Sequence, residues 1–244
     1  MSYFTGVDRA LIRLGHSLII SRVHPTGSIE KRARQLKETI LRQLDVMGAD
    51  AARGAPAGDK TGPPTRIAII AHSLGGLDAR YMISKLGMAE RVETLITVTT
   101  PHHGSPYADW CVRHLGQRLG GFKLMNFLGI DVEGIRDLTT ERCARFNECV
   151  ENAPGVKYFS VSCARPWNQI TPLLMPSHKV VFDVEGDNDG LVSVRSAHWG
   201  EHLETWPADH LHSINKRFVL EGKHGTGSIT PYYLRLVERV VGST

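Results

Sequence analysis

The triplet His-Ser-Leu occurs twice in the chain, in "LGHSLII" (residues 14–20) and in "IIAHSLGGLDARY" (residues 69–81). A serine hydroxyl is a weak nucleophile near neutral pH. It becomes a strong one when a histidine takes its proton and a carboxylate holds that histidine in the right tautomer. Ser73 ends the apolar run "TRIAIIAH" and opens "LGGLDARYMISKLG", which has helical spacing. A strand entering a helix in this way holds a corner serine at the carboxyl edge of a sheet, where ligands of open α/β sheets bind. Ala71 and Gly75, two residues to either side, are small, as a crowded strand-to-helix corner requires, and Gly76 lets the helix approach the sheet still more closely. Ser17 fails this pattern because its apolar run follows the serine. An ordinary helix-capping serine is the plain alternative for Ser73, but strand, small residues and helix together favour a nucleophile.

In hydrolases built on such a sheet the acid follows the serine along the chain and the histidine follows the acid. "VEGDNDGLVS" offers Asp187 and Asp189, with Gly190 allowing a tight turn, and "WPADHLHSIN" offers His210 and His212. Spacing alone leaves both pairs open.

The elements that must carry these residues alternate. Helical spacing over residues 7–14 is followed by "SLIISRV", which predicts a buried strand. "TGSIEKRARQLKETILRQLD" predicts a helix with Ala33, Leu36, Ile40, Leu44 and Met47 on one face and Ser28 as its N-cap. "GADAARGAPAGDKTGPP" predicts a surface loop. The strands "TRIAIIAH" and "VETLITVTTP" follow, and the rhythm breaks over about residues 105–150, as an inserted cap would break it. It resumes with "VKYFSVSCA", continues through "DGLVSVRSA", and closes with the helix "PYYLRLVERVV". This order implies a mostly parallel, doubly wound α/β sheet. A chain of 244 residues, 41% hydrophobic, fits one domain spanning 1–244 with a lid-like insertion at about 105–150. The net charge of +4 is mild and the basic residues recur on a helix face, which argues against a nucleic-acid partner. The four cysteines have no metal-ligand or CxxC spacing, so they read as free thiols and favour an intracellular, reducing compartment, cytoplasmic or mitochondrial.

Taken in order, "AHSLGGLDARY", "TVTTPHHGSP", "DLTTERCARFNE", "GDNDGLVS" and "DHLHSIN" resemble the triacylglycerol lipases of the α/β-hydrolase fold, both the bacterial true lipases and their fungal mitochondrial relatives. The likeness runs from about residue 4 to residue 240. It implies catalytic Ser73, Asp189 and His210, an oxyanion-binding N–H from Leu74, and hydrolysis of acylglycerols or similar lipid esters through an acyl-enzyme, with no cofactor. It further implies transient contact with a lipid interface and a helical lid whose Phe122, Leu124, Met125, Phe127 and Leu128 touch acyl chains. His212 stands where many bacterial relatives carry a calcium-binding aspartate, so no metal is expected there, and the bacterial disulfide partner is missing from "LVSVRSAH". The family's opening strand ending in His-Gly, source of a second oxyanion donor, is expected to be missing from this chain. Loss of one such donor costs on the order of a hundredfold to a thousandfold in turnover. A non-catalytic lipid-binding or interaction module, a thioesterase or an acyltransferase are the competing expectations.

Overall fold

The computed structural model describes residues 3–21, 23, 27–54, 66–114, 132–216 and 227–242, with backbone alone for 49–54. Its helices are α1 (Val7–Arg13), α2 (Ile29–Gly54), α3 (Leu74–Lys85), α4 (Pro106–Arg113), α5 (Val132–Asp137), α6 (Thr140–Cys149), α7 (Met175–Glu185) and α8 (Thr230–Val241). Among the described residues four strands, β1 (Ile67–His72), β2 (Val92–Val98), β3 (Lys157–Cys163) and β4 (Glu201–Trp206), form one sheet in that order, every pair parallel.

Because strand side chains alternate between faces, β2 sends Ile96 and Val98 to one side and Leu95 to the other, and Val92, at the end of the strand where the pairing with β1 shifts register, joins the cluster of Leu95. On the first side they meet Val7 and Leu11 of α1 and Tyr233, Leu236 and Val237 of α8. On the second they meet Ala33, Leu36 and Ile40 of α2 and Ala79, Met82 and Ile83 of α3. Helices therefore cover both faces, as the β-α alternation predicts. A third cluster lies apart from these two and contains Leu77, Tyr107, Ile135, Leu138, Leu174 and Leu191. The described flanks of the predicted insertion belong to it; residues 115–131, and with them Phe122, Leu124, Met125, Phe127 and Leu128, lie outside the described residues.

Three expectations change. "SLIISRV" forms no strand among the described residues: 16–21 is irregular chain, although Leu18 packs on one face cluster and Ile19 and Val23 on the other. The division of its side chains between the two faces survives without strand pairing among the described residues. α2 continues to Gly54, through part of the predicted loop, because Ala49, Ala51 and Ala52 favour helix and offset the roughly 1 kcal/mol cost of Gly48. "DGLVSVRSA" makes turns with a single bridge between Asn188 and Ser193 rather than a strand, because its backbone donors are committed to Asp189. The last strand is instead "EHLETW".

Candidate active site

β1 ends at His72 and α3 begins at Leu74, so Ser73 alone makes the corner. It does so at φ 54° and ψ −137°, in the left-handed half of the map that a residue with a Cβ avoids. Such a conformation costs on the order of 1–3 kcal/mol and persists only where its surroundings enforce it. Here the Ser73 N–H donates to the Val98 carbonyl (3.0 Å), and the Ser73 carbonyl accepts from the Thr100 hydroxyl (2.8 Å) and the Gly76 N–H (3.0 Å). A Cβ on Gly76 would collide with the Thr100 side chain. At Gly75 no described atom outside its chain neighbours and its own helix lies within 4 Å of that position, so the close approach expected at Gly76 is present and that expected at Gly75 is not. Leu74 is the first residue of α3, and its N–H has no partner within the helix.

The turn after the late acid loop brings His210 between Ser73 and Asp189. Its Nε2 lies 3.0 Å from Ser73 Oγ and its Nδ1 2.7 Å from Asp189 Oδ2. All three side chains are buried. Asp189 Oδ1 accepts the N–H groups of Leu191 (2.9 Å) and Val192 (2.8 Å), and Oδ2 also accepts the Thr99 hydroxyl. A carboxylate so engaged only accepts, so the imidazole proton sits on Nδ1 and the Nε2 lone pair faces the serine. The backbone agrees: the His210 N–H donates to the Asp189 carbonyl at 2.8 Å. The loop that holds Asp189 is pinned by Asn188, whose Oδ1 accepts from Gly190 N–H (2.8 Å) and whose amide donates to the Gly186 carbonyl (2.9 Å).

The alternatives separate cleanly. Asp187 is exposed and Ser17 is exposed in irregular chain. His212 turns away from the serine: its Nδ1 lies 2.9 Å from Arg165 Nη1 and 3.2 Å from Asp209 Oδ2. Among the described residues no group of three or more His, Cys, Asp or Glu side chains is placed to hold a metal ion, and no described helix is long and apolar enough to cross a membrane. Cys111, Cys143, Cys149 and Cys163 are free thiols, and burial pushes Cys143 up to about 12.

Beside Ser73 and His210 a small cavity is lined by Pro101, Ser105, Leu138, Leu191 and Val192. Sequence patterning did not single out these residues, nor Thr99, Thr100, His72 and Ser213. Their positions follow from contacts between distant segments. The "TVTTP" run carries a local signal only in its pair of threonines beyond a strand end.

A parallel sheet covered on both faces, with a strained serine at a strand-to-helix corner and a histidine and aspartate delivered by later loops, defines a protein of the α/β-hydrolase fold. The chain belongs to the family of PGAP1-like alpha/beta domains, which matches residues 23–162. That range contains Ser73 but neither Asp189 nor His210. Triacylglycerol lipase 2 of Saccharomyces cerevisiae is 31% identical over 233 residues, covering 91% of this chain and 64% of its own length. The chain thus spans just under two thirds of that relative. A triacylglycerol lipase of Pseudomonas fragi is 26% identical over 255 residues, covering 87% of this chain and 81% of its own. In fold, the crystal structure of Staphylococcus hyicus lipase covers 99% of this chain and 90% of its own at a TM-score of 0.71, with 16% identity.

Proposed function

We propose that this chain is a serine carboxylic-ester hydrolase that cleaves acylglycerols or similar lipid esters. The observation that carries the reading is the single imidazole hydrogen-bonded to Ser73 on one nitrogen and to Asp189 on the other. His210 takes the Ser73 proton as Oγ attacks the ester carbonyl carbon; collapse of the tetrahedral adduct expels an alkoxide, which leaves with the proton from His210. A water activated by the same imidazole then attacks the acyl-serine, releases the fatty acid and restores Ser73. Asp189 keeps Nδ1 protonated and stabilises the imidazolium of both steps. The Leu74 N–H binds the developing oxyanion. Pro101, Leu138, Leu191 and Val192 offer the acyl chain its first apolar contacts, and transient docking at a lipid interface delivers the substrate.

The test is hydrolysis of p-nitrophenyl butyrate and of an emulsified triacylglycerol, alongside labelling by a fluorophosphonate. Wild type turns over and is labelled at Ser73, whereas Ser73→Ala loses labelling and about 10⁴- to 10⁶-fold in kcat. Lipid binding that is equal in both proteins, with hydrolysis in neither, overturns the reading in favour of a lipid-binding module.

A further inference from the structure

The residue before the serine has its own network. His72 is buried, its ring centroid 4.7 Å from that of His210. Its Nε2 lies 2.7 Å from Ser213 Oγ, and its Nδ1 lies 2.9 Å from the Tyr3 hydroxyl. Ser213 Oγ in turn donates to the carbonyl oxygen of His210 at 2.7 Å. Proton bookkeeping fixes the direction of this chain. A serine hydroxyl has one proton, and here the His210 carbonyl takes it, so Ser213 must accept from His72 Nε2–H. The Nδ1 lone pair of His72 then accepts the Tyr3 O–H. Burial, and then the neighbouring His210, push the imidazolium form of His72 well below its ordinary range, consistent with a neutral ring in this role.

We propose that His72, acting through Ser213, is a positioning residue that fixes the His210 backbone relative to Ser73. The inference rests on the proposed roles of Ser73 and His210. The link is direct in covalent terms, because His72 is bonded to the serine's own residue while its ring holds the histidine's loop. A few tenths of an ångström in the Nε2 to Oγ distance therefore depends on a tie of two hydrogen bonds between neighbours, in addition to the bonds of His210 to Asp189. The Tyr233 hydroxyl, donating to the Ser213 carbonyl at 2.8 Å, holds the far side of the same turn. Misplacement of a catalytic group by about 1 Å can cost on the order of a hundredfold, so loss of one tie should cost less.

The experiment compares His72→Leu, His72→Gln, Ser213→Ala and the His72→Leu/Ser213→Ala double variant in steady-state kinetics, with a crystal structure of Ser213→Ala. Expected are about a tenfold to thirtyfold fall in kcat for His72→Leu and for Ser213→Ala with KM within about twofold, recovery in His72→Gln, whose amide can donate to Ser213, and a double variant no worse than the poorer single one. The crystal structure is expected to show His210 displaced from Ser73. Wild-type kcat in the single variants, a change confined to KM, no recovery in His72→Gln, or losses that multiply in the double variant overturns the proposal. If wild type itself cleaves no ester, the reading of the site fails instead, and the Ser213→Ala structure still decides: an unmoved His210 overturns the positioning role.

Discussion

Two buried aspartate–histidine pairs have histidines two residues apart, and only one of those histidines is hydrogen-bonded to Ser73. In the first, Asp189 receives two backbone N–H groups, the Thr99 hydroxyl and His210 Nδ1, and the imidazole's remaining nitrogen faces Ser73. In the second, Asp209 receives the N–H groups of Leu211, His212 and Thr171 and the Thr171 hydroxyl, while His212 Nδ1 faces both Asp209 and Arg165. Both carboxylates are fully buried and both are well supplied with donors. What separates them is the imidazole's other contact: His210 meets Ser73 through its second nitrogen, whereas Arg165 shares the Nδ1 of His212 with Asp209. A guanidinium has only protons to offer, so a neutral His212 meets it with the Nδ1 lone pair and cannot at once hand Asp209 a proton from that nitrogen. On the proposed reading the first pair moves the Ser73 proton, whereas the second has a structural role.

Exchanging the carboxylates for amides tests that difference most severely. Asp189→Asn should lower kcat about 10⁴-fold, equivalent to roughly 5.5 kcal/mol, because an amide cannot hold His210 with its proton on Nδ1. Asp209→Asn should stay within about tenfold of wild-type kcat while losing on the order of 2 kcal/mol in urea denaturation, as a buried capping acceptor is weakened. Equal kinetic losses in the two variants would dissolve the distinction.

Arg165→Leu probes the second pair from its other side. The guanidinium lies 4.0 Å from Asp209 and donates through Nε to the Pro207 carbonyl at 2.9 Å, so its removal leaves a buried carboxylate without its nearest formal charge. About 3 kcal/mol of stability should be lost, and the surviving folded fraction, counted by fluorophosphonate labelling, should turn over at close to the wild-type rate per labelled site. Thr99→Val is the matching change at the first pair. Asp189 loses one donor of four, for which we expect roughly a tenfold fall in kcat and about 1 kcal/mol in stability. A kinetic loss in Arg165→Leu larger than in Thr99→Val would show that the two pairs work as one unit.

The same contrast explains what the sequence made legible. Ser73 is marked locally, by an apolar strand before it and a glycine-bearing helix after it. Asp189 and Asp187, or His210 and His212, carry the same side chains two positions apart, so pattern cannot rank them. Burial does: the bridge between Asn188 and Ser193 turns Asp189 inward and leaves Asp187 in solvent. Thr99, His72 and Ser213 act through partners dozens of residues away, and no local signal announces them. In the fold, β1, β2 and β3 were legible as runs of β-branched and apolar residues. "EHLETW" was not, because its charged, largely half-exposed side chains offer no apolar run, and it joins the sheet through β3 alone among the described strands.

Asp78 supplies a third buried carboxylate, with a different kind of support. It joins α3 to α2 behind the serine corner and is bonded to Arg32, through Nε at 3.2 and 3.0 Å and Nη2 at 2.8 Å, where Asp189 and Asp209 are supported by backbone N–H groups. Burial pushes its carboxyl up to about 6 despite the attraction of Arg32, from an ordinary value of 3.8. A raised folded-state value means that the folded protein holds the proton more tightly than the unfolded chain. The resulting stabilisation is fully present below about pH 3.8 and is lost as pH rises through about 6. Urea denaturation of wild type and Asp78→Asn between pH 4 and pH 8 should therefore show the stability difference moving against wild type as pH rises, by roughly 2 kcal/mol. A difference that moves in favour of wild type would mean that the Arg32 ion pair outweighs desolvation. Support from a single guanidinium would then suffice to hold a buried carboxylate ionised.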